Sequence, residues 1–600
     1  MRSAMLAACL MTAAFAVSTD AIAADAPVIG RQIADFKLRD HWGKEHQLSQ
    51  LGDRKAVVVV FLGTECPLAR LYAPRLAELA KEYEPRGVAF LGVDSNQQDS
   101  IQELATFARV NALSFPLLKD VGNEVADQFG ALRTPEVFVL DGQRTVRYWG
   151  RIDDQYGFQT GVGFQRPEPS RRDLAVAIDE LLAGEPVSQP VTTAMGCHIG
   201  RIRLAKADSS VTYSNQIARI LQNRCVECHR PGEVAPFALQ QYDDVVGWGE
   251  MIREVVHEGR MPPWSASAES GPFVNDPQLT DEEKQLIDQW VENGCPQGSI
   301  SDLPEPRQFI DGWNIPQPDQ VVHMSAKPFN VPAEGVVEYQ YFEADPRWTE
   351  DKWVKSAEAR PGNRSVVHHI IVFIKPPGGR SRVALGPQGF GPTDLLAGFA
   401  PGSLPLHAYS GMARHVPAGS KLVFQMHYTP NGQAQQDRSY LGLIFADEKD
   451  VTHDVRSGFA ANLAFKIPAG ASNHQVTSSR KFRRDTLLLS MMPHMHLRGK
   501  SFHYEAIYPD GRRETLLDVP RYDFNWQLSY VFPEPKLLPK GTELHCTAHF
   551  DNSAANLANP DPTKTVTWGD QTWEEMMIGW FISADAEPIQ SVADEKTAAR

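Results

Sequence analysis

The pattern of hydrophobic and polar positions changes twice along the chain. Between residues 27 and 185, apolar runs such as AVVVVFLG, GVAFLGVD and TPEVFVLDG alternate with helical segments such as RLYAPRLAELAKEY. This alternation predicts βαβ units. A stretch with Pro, Ser and Thr, GEPVSQPVTTAM, then breaks the periodicity, and helical periodicity resumes from 213 to 300. From about 301 to 585, short alternating strands between Pro and Gly turns predict an all-β region in two sandwich-like halves.

At 600 residues the chain is too long for one hydrophobic core, and about 150 residues per domain suggests roughly four folded units. The changes of pattern give their boundaries. We predict a signal peptide at 1–23, an α/β domain at 24–185, a linker at 186–212, an all-α domain at 213–300, two β halves at 301–460 and 461–585, and a tail at 586–600.

Composition and charge narrow the function classes. Apolar residues make up 42% of the chain and charged residues 22%, which is typical of ordinary globular protein. The formal net charge of −15 would repel a phosphate backbone, and no long basic run offsets it. Nucleic acid is therefore not expected as a partner.

The first residues have the features of an export signal. One Arg precedes an apolar stretch too short to span a bilayer, and Ala21-Ile22-Ala23 resembles a cleavage signal. A buried N-terminal helix is the alternative. We predict a periplasmic or secreted protein, and no later stretch is apolar enough for a membrane span. Of seven cysteines, Cys9 leaves with the signal peptide, and the other six enter a compartment that permits disulfides and covalent haem.

The helical block contains the segment CVECH, in which Cys225, Cys228 and His229 have the C-x-x-C-H spacing. Two thiols at this spacing can bond the edge of a porphyrin while the His faces the iron. A zinc site is the rival interpretation, but no second Cys/His pair follows at finger spacing. The segment resembles class I cytochrome c, with SNQIARILQNRCVECHRPG as leading helix and haem loop. The resemblance implies a covalent haem c, with Met261 as sixth ligand and His257 as its competitor.

Imidazole and thioether groups that suit copper recur on strand-like segments of the β region. They are His368, His369, His427, His494, His496 and Met576. His494 and His496, at i and i+2, share one face of a strand and can bind one ion without distortion. His368 and His369 are adjacent and point to opposite faces, so joint ligation requires a bend, a bulge or binding through the nearer ring nitrogen.

The order SVVHHIIVF, FQMHYTP, PHMHLRGK and WEEMMIGW resembles the copper type II, ascorbate-dependent monooxygenase family, of the dopamine β-hydroxylase and peptidylglycine hydroxylating type. The resemblance spans roughly residues 315 to 585 and implies a two-part jelly-roll or sandwich fold with two copper ions. It assigns His368, His369 and His427 to an electron-transfer copper. It assigns His494, His496 and Met576, or its neighbour Met577, to an oxygen-binding copper.

This family hydroxylates an sp3 C–H bond of a small molecule with O2 and two electrons. The one-electron donor is an ascorbate-like reductant or a redox protein. Peptide-amidating members carry an Arg where this chain has Met492, and polar substrate anchors where it has Ile578 and Trp580. A peptide carboxylate is therefore not expected as substrate.

In the α/β domain, Cys66 follows a predicted buried strand, and Pro67 suits the first position of a helix. The helix dipole and free amides there favour the thiolate of Cys66. With Thr134-Pro135 at the position of a cis-proline, residues 27 to 185 resemble the thioredoxin-like redoxins of the peroxiredoxin (AhpC/TSA) and TlpA type. This chain departs from the two family patterns at Ala69, where the second Cys of a C-x-x-C stands, and at Gly63, where the peroxidases carry Thr.

The departures leave the role of Cys66 open. Cys197 is a candidate resolving partner, and a leftover buried thiol is the alternative. Outside the haem segment Cys66, Cys197, Cys295 and Cys546 allow three full pairings that the sequence does not distinguish.

We therefore predict an exported copper monooxygenase that receives electrons through its own c-type haem. Two alternatives belong to other classes. One is a non-enzymatic periplasmic protein that binds copper or senses redox state, and the other is a thiol oxidoreductase centred on Cys66.

Overall fold

A computed structural model describes residues 28–589, apart from 311, 334, 336, 379–393, 401–404, 408 and 431–432. The predicted signal peptide at 1–23 and most of the predicted tail at 586–600 lie outside the described residues. Within the described ranges, no helix is long and apolar enough to cross a lipid bilayer.

The N-terminal domain is built from short strands and four helices. The strands are β1 (Lys37–Asp40), β2 (Glu45–Gln47), β3 (Ala56–Phe61), β4 (Val88–Asp94), β5 (Leu117–Lys119), β6 (Arg133–Thr134), β7 (Glu136–Asp141), β8 (Val146–Gly150), β9 (Tyr156–Gln159) and β10 (Val162–Gln165). The helices are α1 (Pro67–Tyr83), α2 (Ile101–Val110), α3 (Glu124–Phe129) and α4 (Asp173–Leu182).

Seven of these strands form one sheet in the order β2-β1-β5-β4-β3-β7-β8. The central strand β3 is buried along its whole length, pairs in parallel with β4 and antiparallel with β7. Helices α1, α2 and α4 pack on one face and α3 on the other. The predicted thioredoxin-like α/β domain is confirmed.

The segment 186–212, expected to be a linker, is partly ordered against this domain. Its strand β11 (Cys197–His198) pairs antiparallel with β6, which places Cys197 opposite Thr134. Ile199, only 4% exposed, joins the apolar cluster beneath α3. Strand β11 and the buried Ile199 thus anchor this segment to the α/β domain. The Pro, Ser and Thr residues earlier in the segment did not indicate this anchoring.

The next block holds a one-turn π-helix (Tyr213–Ile217) followed by α5 (Ala218–Arg224), α6 (Tyr242–Val245), α7 (Gly249–His257) and α8 (Asp281–Glu292). Residues 258–280 contain no helix, because the prolines at 262, 263 and 272 do not fit a helix interior. This arm leaves the block and packs in the β region, where Trp264 and Phe273 contact Tyr530. A closed all-α domain at 213–300, as expected for a cytochrome c, is therefore not evident.

The C-terminal region is all β, as predicted. Its first strands are β12 (Gln320–His323), β13 (Phe329–Val331), β14 (Gln340–Ala344), β15 (Lys352–Arg360), β16 (Val367–Lys375), β17 (Leu395–Phe399), β18 (Leu406–His407), β19 (Met412–Val416), β20 (Lys421–Tyr428), β21 (Gln435–Asp437) and β22 (Tyr440–Phe445). They are followed by β23 (His453–Ala461), β24 (Lys466–Ile467), β25 (His474–Lys481), β26 (Thr486–His494), β27 (Gly499–Ile507), β28 (Arg513–Val519), β29 (Tyr530–Leu538), β30 (Glu543–Phe550), β31 (Val566–Thr567) and β32 (Ile578–Asp585).

A nine-stranded sheet runs through both halves in the order β12-β22-β15-β19-β23-β32-β26-β29, with β18 attached to β15. Strand β23 crosses the expected boundary at 460/461 and pairs with one half through β19 and with the other through β32. Four-stranded sheets, β14-β20-β16-β17 and β25-β30-β27-β28, cover the two halves and enclose separate apolar cores. Residues of β16, in the four-stranded sheet of the first half, and of β26, in the shared sheet, line one cavity.

Candidate functional site

Three histidines converge on the sheet of the first half. His369 on β16 lies directly opposite His427 on β20, and the register between these strands shifts at His368. This β-bulge turns the His368 side chain towards the other two, which is one of the distortions that joint ligation requires. Nδ1 of His368 lies 3.2 Å from Nδ1 of His369 and 3.3 Å from Nδ1 of His427. All three residues offer ligand atoms within 4.8 Å of one another.

Burial keeps these imidazoles neutral. It lowers the pKa of His368 to about 4 and that of His427 to about 3, and it holds the pKa of His369 well below its usual value. Two ring nitrogens 3.2 Å apart cannot both carry a proton, so lone pairs point into the cluster at neutral pH. The ring of Tyr339 packs on this group, with its centroid 5.1 Å from that of His427.

The second set lies at the end of β26. The strand ends at His494, so His496 lies just beyond it, and the two ring centroids are 5.2 Å apart. Nδ1 of His494 donates to Oε1 of Gln527 (3.0 Å), and Nδ1 of His496 donates to the carbonyl of Glu574 (3.2 Å). A histidine that ligates a metal usually donates its other ring nitrogen in this way. Both residues therefore keep Nε2 free as a ligand atom.

A buried carboxylate fixes the loop that carries His496. Glu575 accepts hydrogen bonds from the backbone amides of His496 (2.8 Å) and Arg498 (2.7 Å). Its burial raises its pKa to about 8, against the lowering effect of these amides. Sequence reasoning missed Glu575 and Gln527, although the Glu-Glu pair that precedes Met576 was visible in the motif.

The structure separates the two neighbouring methionines. Met576 is partly exposed and lines the cavity, whereas Met577 is fully buried in the apolar core of the second half. Only Met576 therefore has its thioether on the same side as His494 and His496. The arrangement favours Met576 over Met577 as a ligand.

His368 and His369 of the first set and all three members of the second set line a cavity of about 790 Å³ between the two halves. Among the described lining residues, Asp570 is the only carboxylate and no Lys or Arg occurs. The rest of the wall is largely aliphatic and aromatic. The ring of Phe524 stacks on His368, with centroids 5.6 Å apart, and meets His496 edge-on at 5.9 Å. One aromatic side chain thus contacts both sets.

The donor chemistry of both sets fits copper. Three neutral imidazoles form one set, and two imidazoles with free Nε2 atoms beside a soft thioether form the other. The cluster of His368, His369 and His427 can hold an ion with little rearrangement, since its nitrogens already face one another.

The predicted haem segment follows α5. Cys225 and Cys228 are free thiols, and burial raises their pKa to about 12 and about 11. Nδ1 of His229 donates to the carbonyl of Phe237 (3.1 Å), which leaves Nε2 for an iron atom. These three residues fit a covalent haem. Met261 lies in the arm after α7 and is partly buried.

His257, the competing sixth ligand, is half-exposed and has another partner. Its Nε2 lies 2.8 Å from a carboxylate oxygen of Asp288 on α8. In this pairing Nδ1 is the ring nitrogen of His257 that remains available to a metal.

In the α/β domain Cys66 lies at the N-terminal end of α1, with Pro67 at the first helical position, as predicted. The Thr134-Pro135 peptide is cis, also as predicted. Sγ of Cys66 lies 2.9 Å from the Thr134 carbonyl and within hydrogen-bond reach of the Cys197 thiol. The structure thus brings Cys66 and Cys197 together, whereas Cys295 and Cys546 lie in separate apolar cores.

The two thiols have opposite acidities. Burial alone would raise the pKa of Cys66, but hydrogen bonds from Cys197, the Ala69 amide and Thr134 lower it to about 6. The same contact with Cys66, together with burial, raises the pKa of Cys197 well above its usual value. Cys66 is therefore the more acidic thiol of the pair and Cys197 the less acidic one.

Beside this pair, the place of the peroxidase threonine is filled. A Cβ added at Gly63 would lie 2.6 Å from the side-chain amide of Asn96 and 3.1 Å from Oγ1 of Thr134. No side chain larger than glycine fits there without a shift of Asn96.

Helix α7 covers the thiols. Its Glu254 accepts from Arg133 (2.6 Å) and pairs with His198 (2.7 Å), two residues that lie opposite each other in the strand pair β6–β11. Cys66 is only 1% exposed beneath this cover.

Comparisons with known proteins concern the α/β domain. Residues 29–149 match the AhpC/TSA family. Thiol-disulfide oxidoreductase ResA of Halalkalibacterium halodurans is 31% identical over 113 residues, which are 19% of this chain and only 62% of ResA. A Mycobacterium tuberculosis protein named "Putative peroxiredoxin Rv1608c" is 32% identical over 127 residues, or 20% of this chain and 80% of that protein.

One solved structure, that of peroxidoxin BcpB from Mycobacterium tuberculosis, covers 26% of this chain and 94% of its own, with 27% identity and a TM-score of 0.20. Through its α/β domain at residues 29–149, the chain belongs to the AhpC/TSA family of thioredoxin-like redoxins.

Proposed function

We propose that the β region is a copper-dependent monooxygenase that hydroxylates an sp3 C–H bond with O2. The observation that carries this proposal is the convergence of the Nδ1 atoms of His368, His369 and His427, two of which line the cavity. A second set of metal-binding type, His494, His496 and Met576, faces the same cavity. A storage protein has no need for two unlike sets around an apolar substrate-sized space.

The residues of the chain have distinct roles in this proposal. When bound, the two copper ions would each supply one electron for O2 cleavage, with one oxygen atom entering substrate and the other leaving as water. Gln527 orients His494, and the Glu574 carbonyl orients His496. Burial holds the imidazoles unprotonated, which keeps them competent as ligands. The apolar wall excludes water from the reacting C–H bond.

The lining of the cavity supports an apolar substrate. Met492, Ile578 and Trp580 all lie on its wall, and no cation is present among its described lining residues. A carboxylate substrate would enter without a counter-charge, which is costly in an apolar site.

We further propose that Cys225, Cys228 and His229 hold a covalent haem c that serves the copper sites as one-electron donor, with Met261 as its sixth ligand. Haem attachment would require the exported location that the sequence predicts.

The test is metal and haem analysis of protein matured in a periplasm with haem-attachment machinery, followed by O2 uptake with apolar substrates. About two copper ions and one covalent haem per chain are expected. His427→Ala should lower copper content to about one ion and abolish substrate-dependent O2 uptake. His453→Ala, at a partly exposed histidine away from the cavity, is the control and should keep both. Bound copper without any O2 uptake would instead indicate a copper-binding protein that is not an enzyme.

A second function, thiol–disulfide exchange, is favoured by the hydrogen bond between Cys66 and Cys197. The Cys66 thiolate would attack a partner disulfide, and Cys197 would then displace the partner from the mixed disulfide. The partner gains two thiols, and a Cys66–Cys197 disulfide forms. The names of relatives such as ResA agree with exchange, whereas the filled space at Gly63 disfavours peroxidase chemistry.

Mass spectrometry of the mildly oxidised protein tests this function. A peptide pair joined through Cys66 and Cys197, two hydrogens lighter than the reduced pair, is expected. Cys197→Ser should abolish the pair and allow a mixed disulfide at Cys66 to accumulate, whereas Cys295→Ser should change neither. If Cys66 and Cys197 both remain thiols at potentials that oxidise the dithiols of thiol-disulfide oxidoreductases, exchange at this site is excluded.

A further inference from the structure

The haem-attachment loop and the strand that carries His368 are joined by a buried group of charges. Glu233, five residues after Cys228, accepts hydrogen bonds from Nη2 of Arg360 (2.8 Å) and from Nη2 of Arg364 (3.0 Å). Arg230, on the same loop, adds a third cation at 3.3 Å. We call Arg230, Glu233, Glu358, Arg360 and Arg364 the Glu233 cluster.

The cluster is built from both sides of the contact. Its side chains are almost fully buried except for Arg364, which is 24% exposed. Glu358 on β15 accepts from Nη1 of Arg360 (2.7 Å) and from the backbone amide of Asn314 (2.7 Å). Arg230 in turn donates to Oδ1 of Asn314 (2.7 Å). Each buried charge therefore has at least one polar partner, although Nε of Arg230 has none, and partners of this kind are the condition under which a buried ion network is tolerated.

Such networks specify geometry more than they add stability, since removing charges from water offsets most of their attraction. The geometry specified here is the position of the CVECH loop relative to β16. Arg364 stands four residues before His368, on the turn between β15 and β16. On the side of the CVECH loop, Cys228 is close enough to the cluster for both charges to act on its pKa, which Glu233 raises and Arg364 lowers. One hydrogen bond therefore separates the loop of the haem cysteines from the backbone that leads to His368.

A second connection between the helical block and the β region leads elsewhere. In the arm at 258–280, the side chain of Asn275 donates to the carbonyl of Ser529 (2.7 Å), just before β29. It also accepts from the backbone amide of Val531 (3.0 Å), on β29. Strand β29 pairs with β26, the strand of His494, and not with β16. The Glu233 cluster, in contrast, includes Arg364 on the turn that leads into β16 and His368.

We propose that the Glu233 cluster is an internal docking contact that couples the haem segment to the His368, His369 and His427 site, with the Glu233–Arg364 hydrogen bond as its key link. This inference rests on the proposed function. The event that the cluster would support is a one-electron transfer, in which a haem held by Cys225, Cys228 and His229 would supply one electron to a copper ion held by His368, His369 and His427. An external one-electron donor then reduces the iron again. Glu233 and Arg364 are positioning residues, since neither holds the iron or the copper.

The experiment uses full-length protein loaded with haem and copper(II), without O2. A flash-generated reductant reduces the haem, and the return of its oxidised absorbance is followed. In the unmodified protein this return should be first-order and independent of protein concentration. His427→Ala, which removes the acceptor, should abolish it.

Glu233→Gln and Arg364→Met should each slow the return by about tenfold or more, because transfer depends on a fixed approach of the two segments. The double variant should be no slower than the slower single variant, since both changes remove one contact. Arg364→Lys keeps the charge without the planar fork and should give an intermediate rate. Asn275→Ala, the matched change at the other contact, should leave the rate unaltered.

Two further readouts separate docking from general damage. The haem spectrum and the copper electron paramagnetic resonance signal should be unchanged in Glu233→Gln and Arg364→Lys. An unaltered rate in both, with both cofactors present, would overturn the docking role. A rate that depends on protein concentration in the unmodified protein would overturn it too, since electrons would then pass between molecules. Failure of the unmodified protein to bind haem or copper would refute the proposed function instead.

Discussion

Replacing the two neighbouring methionines one at a time should give opposite results. Met577 is fully buried in the core of the second β half, so Met577→Ala should lower the free energy of unfolding by about 2–5 kcal/mol. Met576 is partly exposed at the cavity, so Met576→Ala deletes less buried area and should cost roughly 1 kcal/mol. The proposed ligand set is lost only in the second case.

The assay has two parts. Urea unfolding of metal-free protein, monitored by the tryptophan fluorescence of the β region, measures the difference in unfolding free energy between the two variants. X-ray absorption of the Cu(I)-loaded protein shows whether a thioether is bound to copper, because such a ligand adds sulfur scattering that Met576→Ala should remove. Met492→Ala, which deletes another thioether from the cavity wall, serves as control and should keep the sulfur signal. If Met577→Ala removes this signal while Met576→Ala retains it, the assignment of the ligand is wrong by one residue.

Three other changes test separate contacts. Cys197→Ala removes a hydrogen bond that lowers the pKa of Cys66, so the midpoint of the thiolate's ultraviolet absorbance should rise above about 6, and an unmoved midpoint would contradict the pairing. Gln527→Ala frees the His494 ring and should weaken copper binding by about 10- to 100-fold in a chelator competition. Little change in copper affinity would show that Gln527 does not orient His494. Trp264→Ala empties a buried site against Tyr530 and should cost about 3–5 kcal/mol in urea unfolding of the β region.

Local patterns were sufficient for the elements of the fold. The run AVVVVF predicted the buried strand β3, and the Pro after Cys66 marked the start of α1. Alternation of polar and apolar residues likewise predicted the β region. The prolines of the arm at 258–280 carry a clear signal against helix, yet nothing local indicates that Trp264 packs in another domain. Such a contact depends on surface complementarity between segments about 250 residues apart in the chain, which no sequence period encodes.

The candidate ligands were also visible in the sequence, but their geometry was not. Adjacent His368 and His369 point apart on a regular strand, and only the register shift between β16 and β20 brings both to His427. A bulge depends on how two strands pair, so a single strand's sequence does not specify it. Gln527 and Glu575 escaped notice for a related reason. Each is a single polar residue whose role depends on a distant partner.

One loop of the β region is in contact with both candidate histidine sets and with the α/β domain. The loop 521–527 places Phe524 between the two histidine sets and Gln527 against His494. It is held from outside the β region by the hairpin of β9 and β10, because Arg521 donates to the Thr160 carbonyl and Asn525 to the Gly163 carbonyl (2.9 Å). The redoxin domain therefore supports the loop that orients the proposed copper ligands. A β region separated from that domain would keep all six candidate ligands and the contacts of Gln527 and the Glu574 carbonyl, but the loop 521–527 would lose its two hydrogen bonds to the hairpin, and a loosely held supporting loop weakens a metal site.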